Sequence, residues 1–219
     1  MKQYQQIQGP NKAPREHCIA FYKYDGSNIR AEWTPKRGWF KFGSRKVLMD
    51  RTHPLGDAID IFLNTYGDDL EKIFKKDKLF RNCQNVTVFG EYFGKNSFAG
   101  WHDPDDEKEI VLFDVSIHKK GMMPPTDFIK MFGHLKIPEV IYEGNFNDSF
   151  IQDVKDGKYD LEEGVVVKGQ LPKGRPPHNL WMAKVKTDAW IEKLKKEALK
   201  NPDKFKNILQ DNAIEQEIS

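Results

Sequence analysis

The sequence has 219 residues, of which 38% are hydrophobic, 12% aromatic and 31% charged. This length suits one domain, or one domain with a small appendage. A chain of this size buries enough surface to fold without a metal ion or a disulfide bond. The formal net charge is only +2. Overall charge therefore does not indicate nucleic-acid binding, and only a local basic surface could provide it.

The two cysteines and the N-terminal sequence indicate where in the cell the protein is expected. Cys18 and Cys83 show neither the spacing of a metal site nor a disulfide framework. The N-terminus lacks an apolar signal region, and no apolar run approaches the ~18 residues of a membrane span. We expect an intracellular, cytoplasmic protein without a membrane partner, and the cytoplasm of a phage-infected cell would fit this description.

The first part of the chain predicts a hairpin followed by helices. Residues 1–14 are polar with two prolines and are expected along the surface. Residues 17–33 predict strand, turn and strand, because β-prone apolar residues flank the turn sequence DGS. Across residues 54–80 the apolar side chains fall at helical spacing.

The second part predicts more strands. The four candidates are 86–94, 109–117, 164–168 and 180–186. A helix is expected to begin near Pro125, and a lysine-rich helical tail from Thr187. Because the strands are interrupted by helices without a βαβ alternation, we expect an α+β fold with mainly antiparallel sheets and flanking helices.

Lys23 stands where the first predicted strand opens into its turn. A lysine amine attacks phosphorus only when unprotonated, and an ordinary pKa of about 10.4 makes that form rare at neutral pH. Desolvation, nearby cations or a metal ion can lower this pKa. Taken alone, the pattern KxDG more often describes a solvated lysine in a hairpin, so the interpretation depends on downstream segments.

Three downstream strands carry charged residues in apolar surroundings. Glu91 lies in an apolar strand, where a carboxylate is costly unless it meets a partner such as a ribose hydroxyl or a metal-bound water. Glu162 and Glu163 are adjacent, so only one of them can point into a pocket. Lys184 and Lys186 share a strand face, which suits an anion such as a triphosphate. A solvated strand face is the alternative.

Six short segments occur in a fixed order: KYDGSN (23–28), GSR (43–45), VFGEYFG (88–94), IVLFDV (110–115), EEGVVVK (162–168) and AKVK (183–186). Together they resemble the covalent nucleotidyltransferase superfamily of polynucleotide ligases and capping enzymes. The chain is most similar to the RNA ligase 2 branch of the ATP-dependent RNA ligases. Asn28 stands where DNA ligases and capping enzymes usually have arginine, and the resemblance covers nearly the whole chain.

This resemblance implies an ATP-grasp-like adenylyltransferase domain that uses ATP and Mg²⁺ or Mn²⁺. Lys23 would carry AMP, and Phe113 would stack on the base, although its apolar strand also suits an ordinary core residue. The EGxVxK register selects Glu163 for the pocket. The implied catalytic residues are Lys23, Asp25, Glu163, Lys184 and Lys186. The implied nucleotide-binding residues are Tyr22, Lys23, Asn28, Arg45, Glu91, Phe113, Lys168, Lys184 and Lys186. The implied metal-binding residues are Asp25, Glu91 and Glu163.

The expected organisation is an adenylyltransferase domain over residues 1–186 and a short lysine-rich tail over 187–219. The oligonucleotide-binding (OB) barrel of DNA ligases and capping enzymes is not expected. The expected function is ATP-dependent joining of RNA 5′-phosphate and 3′-hydroxyl ends, in RNA repair. DNA strands are a further candidate substrate, and a protein partner could replace a missing C-terminal domain. The alternatives are another nucleotidyltransferase, such as a minimal DNA ligase or a capping-type enzyme, or a catalytically idle nucleic-acid-binding module.

The loop 95–109 gives a weaker signal. His102, Asp103, Asp105 and Asp106 could be read as a metal site, but a solvated acidic loop is the better interpretation. Asn96, Ser97, Phe98 and Trp101 are candidates for contacts with the substrate nucleic acid.

Overall fold

The computed structural model describes residues 1–95, 105–171 and 180–200. Ten strands form two sheets. The strands are β1 (His17–Lys23), β2 (Ser27–Thr34), β3 (Gly38–Ser44), β4 (Leu48–Met49), β5 (Val86–Phe93), β6 (Glu109–Ile117), β7 (Gly121–Met122), β8 (Val140–Asn145), β9 (Gly164–Gln170) and β10 (Leu180–Lys186). The α-helices are α1 (Asp57–Phe62), α2 (Asp68–Lys76), α3 (Pro125–Phe132), α4 (Asp148–Lys155) and α5 (Asp188–Lys200).

Both sheets are antiparallel between named strands. One has four strands in the order β10-β9-β1-β8, and the other has six in the order β4-β3-β2-β5-β6-β7. The chain passes from the first sheet to the second at the turn 24–26, directly after Lys23. The prediction of an α+β fold with mainly antiparallel sheets is confirmed.

Each sheet has its own apolar core. Helices α1, α2 and α3 cover the six-stranded sheet, with Phe62, Leu70 and Phe128 among the buried residues. A π-helical segment, Leu63–Gly67, joins α1 to α2. Helix α4 covers the four-stranded sheet through Phe150, which packs with apolar residues of β1, β9 and β10. Strand β8 and helix α4 were not predicted from the sequence.

A third, smaller cluster connects the two sheets. Its buried members are Phe89, Met122 and Met182, which come from β5, β7 and β10. Tyr4 and Ile7 pack against this cluster. The expectation that residues 1–14 lie along the surface is therefore wrong for these two side chains. No helix in the described part of the chain is long and apolar enough to cross a bilayer.

Candidate active site

Strand register brings Lys23 and Lys186 to the same end of the four-stranded sheet. Lys23 pairs with Gly164 of the neighbouring strand, and Gly164 pairs with Lys186 on its other side. Glu163 directly precedes Gly164, so its carboxylate projects at this end of the sheet. Glu163 Oε2 lies 2.5 Å from Lys23 Nζ, and Glu163 Oε1 lies 2.5 Å from Lys186 Nζ. One carboxylate thus joins two lysines that are far apart in the sequence.

Two glycines allow the backbone to pack this closely. Gly164 has a φ of +147°, and a Cβ there would lie 2.1 Å from the carbonyl oxygen of Val185. A Cβ on Gly26 would lie 2.5 Å from the carbonyl oxygen of Tyr92. A larger residue at either position would displace backbone beside Glu163 or beside the turn that follows Lys23.

The three charged groups change one another's proton affinity. Burial opposes the charged form of Lys23, but the nearby carboxylates of Glu163 and Glu91 outweigh it and raise the lysine pKa above its ordinary value. Burial would raise the pKa of Glu163, yet Lys23 and Lys186 hold it below the ordinary value. Burial lowers the pKa of Lys186 to about 8, with Glu163 opposing this effect and Lys23 adding to it. The resting site therefore holds Lys23 as an ammonium ion paired with the Glu163 carboxylate.

Two further carboxyl groups belong to the same electrostatic cluster. Burial, aided by repulsion from Glu163, raises the pKa of Asp25 to about 6. Burial also raises the pKa of Glu91 to about 7, although the positive charge of Lys23 opposes it. Since each group responds to Glu163, the three carboxylates are electrostatically coupled around Lys23. A site of this kind favours binding of additional positive charge.

The predicted site residues surround one cavity of about 500 Å³. All of them line it: Tyr22, Lys23, Asp25, Asn28, Arg45, Glu91, Phe113, Glu163, Lys168, Lys184 and Lys186. Glu162, in contrast, is exposed and Glu163 is buried; both lie in the bend directly before β9. The structure therefore brings together residues that the sequence interpretation selected from six separate segments.

The apolar end of the cavity is built around Phe113 and Lys168. Lys168 Nζ lies 2.9 Å from Asp114 Oδ2 and donates a hydrogen bond to the Phe113 carbonyl oxygen at 2.7 Å. The Tyr4 hydroxyl donates to the same Asp114 carboxylate, and the Tyr4 ring meets the Phe113 ring edge to face, with centroids 5.0 Å apart. Phe113 is half-buried rather than part of the closed core. Lys168 is thus held in place by a carboxylate and a carbonyl group.

The cavity-lining or supporting residues that were not selected from the sequence include Tyr4, Asp114 and Trp190. Asp114 could have been selected from the sequence, because a carboxylate in an apolar strand requires a partner such as a buried cation. Trp190 follows Lys186 by four residues, but Lys186 ends a strand and Trp190 lies in the next helix, so the spacing alone does not predict their contact. Tyr4 lies in a polar segment with no periodicity, so nothing in the sequence indicated its burial.

Several features of the site fit a nucleotide and a divalent cation. Asn28 Oδ1 is buried without a hydrogen-bond partner in the described structure, and Asn28 pairs across the strands with Glu91. No three His, Cys, Asp or Glu side chains form a metal-binding group among the described residues. Mg²⁺ commonly takes only one or two carboxylates together with waters and phosphate oxygens. Asp25, Glu91 and Glu163 fit that mode with a bound polyphosphate.

The predictions for the loop 95–109 fall largely outside the described residues. His102 and Asp103, and the suggested nucleic-acid contacts Asn96, Ser97, Phe98 and Trp101, all lie in the undescribed range 96–104. Asp105 and Asp106 are described and exposed, which agrees with a solvated acidic loop.

Comparison with solved structures gives matches to an RNA ligase of Naegleria gruberi. Its complex with PPi matches with a TM-score of 0.64 at 16% identity, over 90% of this chain and 58% of that chain. A mutant with ATP and Mn matches with a TM-score of 0.61 at 13% identity, over 88% and 58%. At these identities the likeness shows a shared fold. The chain spans somewhat more than half the length of these proteins.

Sequence comparisons give one positive and one negative result. A search of curated proteins found no match. The family model described as RNA ligase matches residues 16–186, a range that contains all eleven predicted site residues and most of the chain. On this basis, the chain belongs to the RNA ligase family.

Proposed function

We propose that this chain catalyses ATP-dependent joining of RNA 5′-phosphate and 3′-hydroxyl ends through a lysyl-AMP intermediate on Lys23. The observation that carries this proposal is the pairing of Lys23 with Glu163 at 2.5 Å inside a cavity of about 500 Å³. The cavity offers a nucleophile, several cations for phosphate groups and an aromatic ring for a base. Membership of the RNA ligase family supports RNA as the substrate.

The reaction would proceed by three displacements at phosphorus. The neutral amine of Lys23 attacks the α-phosphorus of ATP, a phosphorus–nitrogen bond forms, the nitrogen loses a proton, and pyrophosphate leaves. An oxygen of an RNA 5′-phosphate then attacks the same phosphorus, the phosphorus–nitrogen bond breaks, and the lysine nitrogen takes up a proton as it leaves. Finally, an RNA 3′-hydroxyl attacks the activated 5′-phosphate, loses its proton, and releases AMP. Each step exchanges one leaving group for one nucleophile, so alignment and charge neutralisation supply most of the catalysis.

The ion pair with Glu163 explains how Lys23 could be held inactive until substrate arrives. Burial alone would lower the pKa of Lys23, and the neighbouring carboxylates reverse this effect. If Glu163 moves away from Lys23, the carboxylate no longer offsets the effect of burial on the lysine. The pKa of Lys23 then falls, and the lysine loses its proton more readily. Lys186 already contacts Glu163 at 2.5 Å and provides a second position for that carboxylate.

The remaining side chains divide between the two ends of the nucleotide. Phe113 would stack on the adenine, and Glu91 and Asn28 would meet the ribose hydroxyls or a metal-bound water. Arg45, Lys184 and Lys186 would face phosphate oxygens, whereas Lys168, held by Asp114 and the Phe113 carbonyl group, would lie beside the base. Mg²⁺ or Mn²⁺, held by Asp25, Glu91 or Glu163, would neutralise charge on the phosphates.

Labelled nucleotides test this proposal. We expect the protein to become covalently labelled by ATP that carries the label at its α-phosphate, and not by the other three nucleoside triphosphates. Lys23→Ala should abolish the label, whereas replacement of the exposed Lys36 by alanine should leave it intact. Labelling by GTP alone would favour a capping-type enzyme.

A sealing assay then tests the polynucleotide. The unlabelled protein is given matched RNA and DNA substrates, as nicked duplexes and as single strands, with ATP. Sealing of RNA is the expected result. Sealing of DNA alone would indicate a minimal DNA ligase, and RNA binding without any adduct would indicate an idle binding module.

A further inference from the structure

Trp190 lies beside the cluster of Lys23, Glu163 and Lys186 in the candidate site. It occupies the first turn of α5, is only 5% exposed, and lines the same cavity as Lys23. Lys186 Nζ lies 3.4 Å from the centroid of its ring. The other close partner of this ammonium group is Glu163 Oε1, at 2.5 Å. Lys186 is therefore held between a carboxylate and an aromatic face.

Thr187 fixes the start of α5 to the segment that carries Glu163. Its backbone N–H donates to the Glu163 carbonyl oxygen at 3.0 Å, and its hydroxyl donates to the Glu162 carbonyl oxygen at 3.2 Å. The same hydroxyl accepts a hydrogen bond from the backbone N–H of Trp190 at 3.2 Å. This capping arrangement sets the position of the Trp190 backbone relative to the catalytic strands.

The same face of α5 continues into the core. Leu194 and Ala198 follow Trp190 at intervals of four residues, and all three are buried. The helix is thus anchored on both sides of the indole. A ring held in this way has little freedom to follow a moving lysine, so the lysine must adapt to the ring.

We propose that Trp190 is a positioning residue that holds the Lys186 ammonium group in place for a nucleotide polyphosphate. Glu163 cannot do this alone, because its two oxygens are divided between Lys23 and Lys186 and because it is the group expected to change partners during the reaction. The aromatic face is uncharged, attracts a cation through its quadrupole, and does not compete with phosphate oxygens. This inference rests on the proposed function, which supplies the polyphosphate.

Binding of inorganic tripolyphosphate tests the inference without any covalent chemistry. Calorimetry is carried out with Lys23 in place, comparing the parent protein with Trp190→Phe, Trp190→Leu and Trp190→Met. We expect Trp190→Leu and Trp190→Met to weaken binding about tenfold, because the cation loses its aromatic face. Trp190→Phe should stay within about twofold of the parent. Equal losses in all three variants, or no loss in any, would overturn the inference.

A double-mutant cycle with Lys186→Met identifies the residue through which Trp190 acts. Trp190→Leu should weaken binding on its own, but should add nothing to a protein that already carries Lys186→Met. Losses that multiply would show that Trp190 acts by another route. Leu194→Ala is the matched control, because it disturbs the packing of α5 one turn further on without touching Lys186. Its tripolyphosphate affinity should stay within about twofold of the parent, and an equal loss there would mean that only the helix matters. If Trp190→Leu fails to fold, Trp190→Met takes its place in the cycle.

The failure of this inference and the failure of the proposed function give different results. Covalent labelling of the unmutated protein by ATP tests the function, and it does not depend on the tripolyphosphate series. If tripolyphosphate binding depends on an aromatic residue at position 190 but no AMP adduct forms, the positioning role of Trp190 stands and the proposed ligase reaction is refuted. If the AMP adduct forms normally and tripolyphosphate affinity does not depend on Trp190, the ligase chemistry stands and the positioning role of Trp190 is refuted.

Discussion

Lys23 and Glu163 are 140 residues apart in the sequence and share a hydrogen bond of 2.5 Å between Nζ and Oε2. Antiparallel pairing of β1 with β9 produces this contact, because it sets Lys23 opposite the residue that follows Glu163. The pair combines a nucleophile with the carboxylate that keeps it protonated.

Glu163→Gln should destabilise the protein. The substitution removes the carboxylate that two largely buried lysines share, and an uncompensated buried charge typically costs about 3 kcal/mol. We expect the free energy of unfolding, measured by urea denaturation at pH 7, to fall by about that amount. Glu162→Gln is the matched control, because its side chain is exposed and adjacent, and it should change stability by less than about 0.5 kcal/mol. Equal effects at both positions would contradict the assigned geometry.

Lys168 and Asp114 should behave as a coupled pair. Both side chains are almost completely buried and lie 2.9 Å apart. Removing either charge alone leaves the other buried without its partner, at a cost of roughly 3 kcal/mol. Asp114→Asn and Lys168→Met should therefore each be strongly destabilising, while the double variant should lose much less than their sum. Strictly additive losses in urea denaturation would show that the pair contributes nothing as a pair.

The Glu91 carboxyl group should make stability depend on pH. Burial raises its pKa in the folded protein to about 7, whereas an unfolded glutamate has a pKa of about 4.3. Between these values the unfolded chain loses the proton and the folded protein retains it, so the free energy of unfolding falls as pH rises from about 4 to about 7. Glu91→Gln removes this contribution. We expect the variant to gain on the order of 2–3 kcal/mol relative to the parent between pH 5 and pH 8. A difference that does not vary with pH would contradict the raised pKa.

Phe113 should contribute to the binding of a base and not of phosphates. Phe113→Leu removes the aromatic face, and stacking on an aromatic side chain is worth about 1–3 kcal/mol per base. We expect the Kd for ATP to rise about tenfold, measured in the Lys23→Ala background, with tripolyphosphate affinity unchanged. Phe113→Trp should restore ATP binding. Parallel losses for both ligands would indicate that Phe113 is simply a structural residue.

Many of the strands could be predicted from the sequence, because their residue types and alternation are typical of β-structure. The segments 109–117 and 180–186 coincide with strands of the structure. The first is rich in β-branched and aromatic residues, and the second ends in an alternation of lysine and valine. Strand β8 was missed because its residues are largely half-buried or exposed at the sheet edge, next to β1 alone. Its formation depends on a long-range partner that local pattern does not specify.

The candidate site was accessible for a different reason. Lys23, Glu163 and Lys186 lie in short segments with a recognisable order, and the EGxVxK register then distinguishes Glu163 from Glu162. Tyr4 could not be found in this way, because its burial depends on docking between Phe89 and Phe113, far along the chain. The relation of Trp190 to Lys186 depends on the orientation of α5, which tertiary contacts fix.

Attachment of AMP to Lys23 is tested most directly by peptide mass spectrometry after incubation with ATP and Mg²⁺ or Mn²⁺. We expect a single AMP on the peptide that contains Lys23, removed by added pyrophosphate and absent from Lys23→Arg. AMP attached to another residue, or retained by Lys23→Arg, would contradict it.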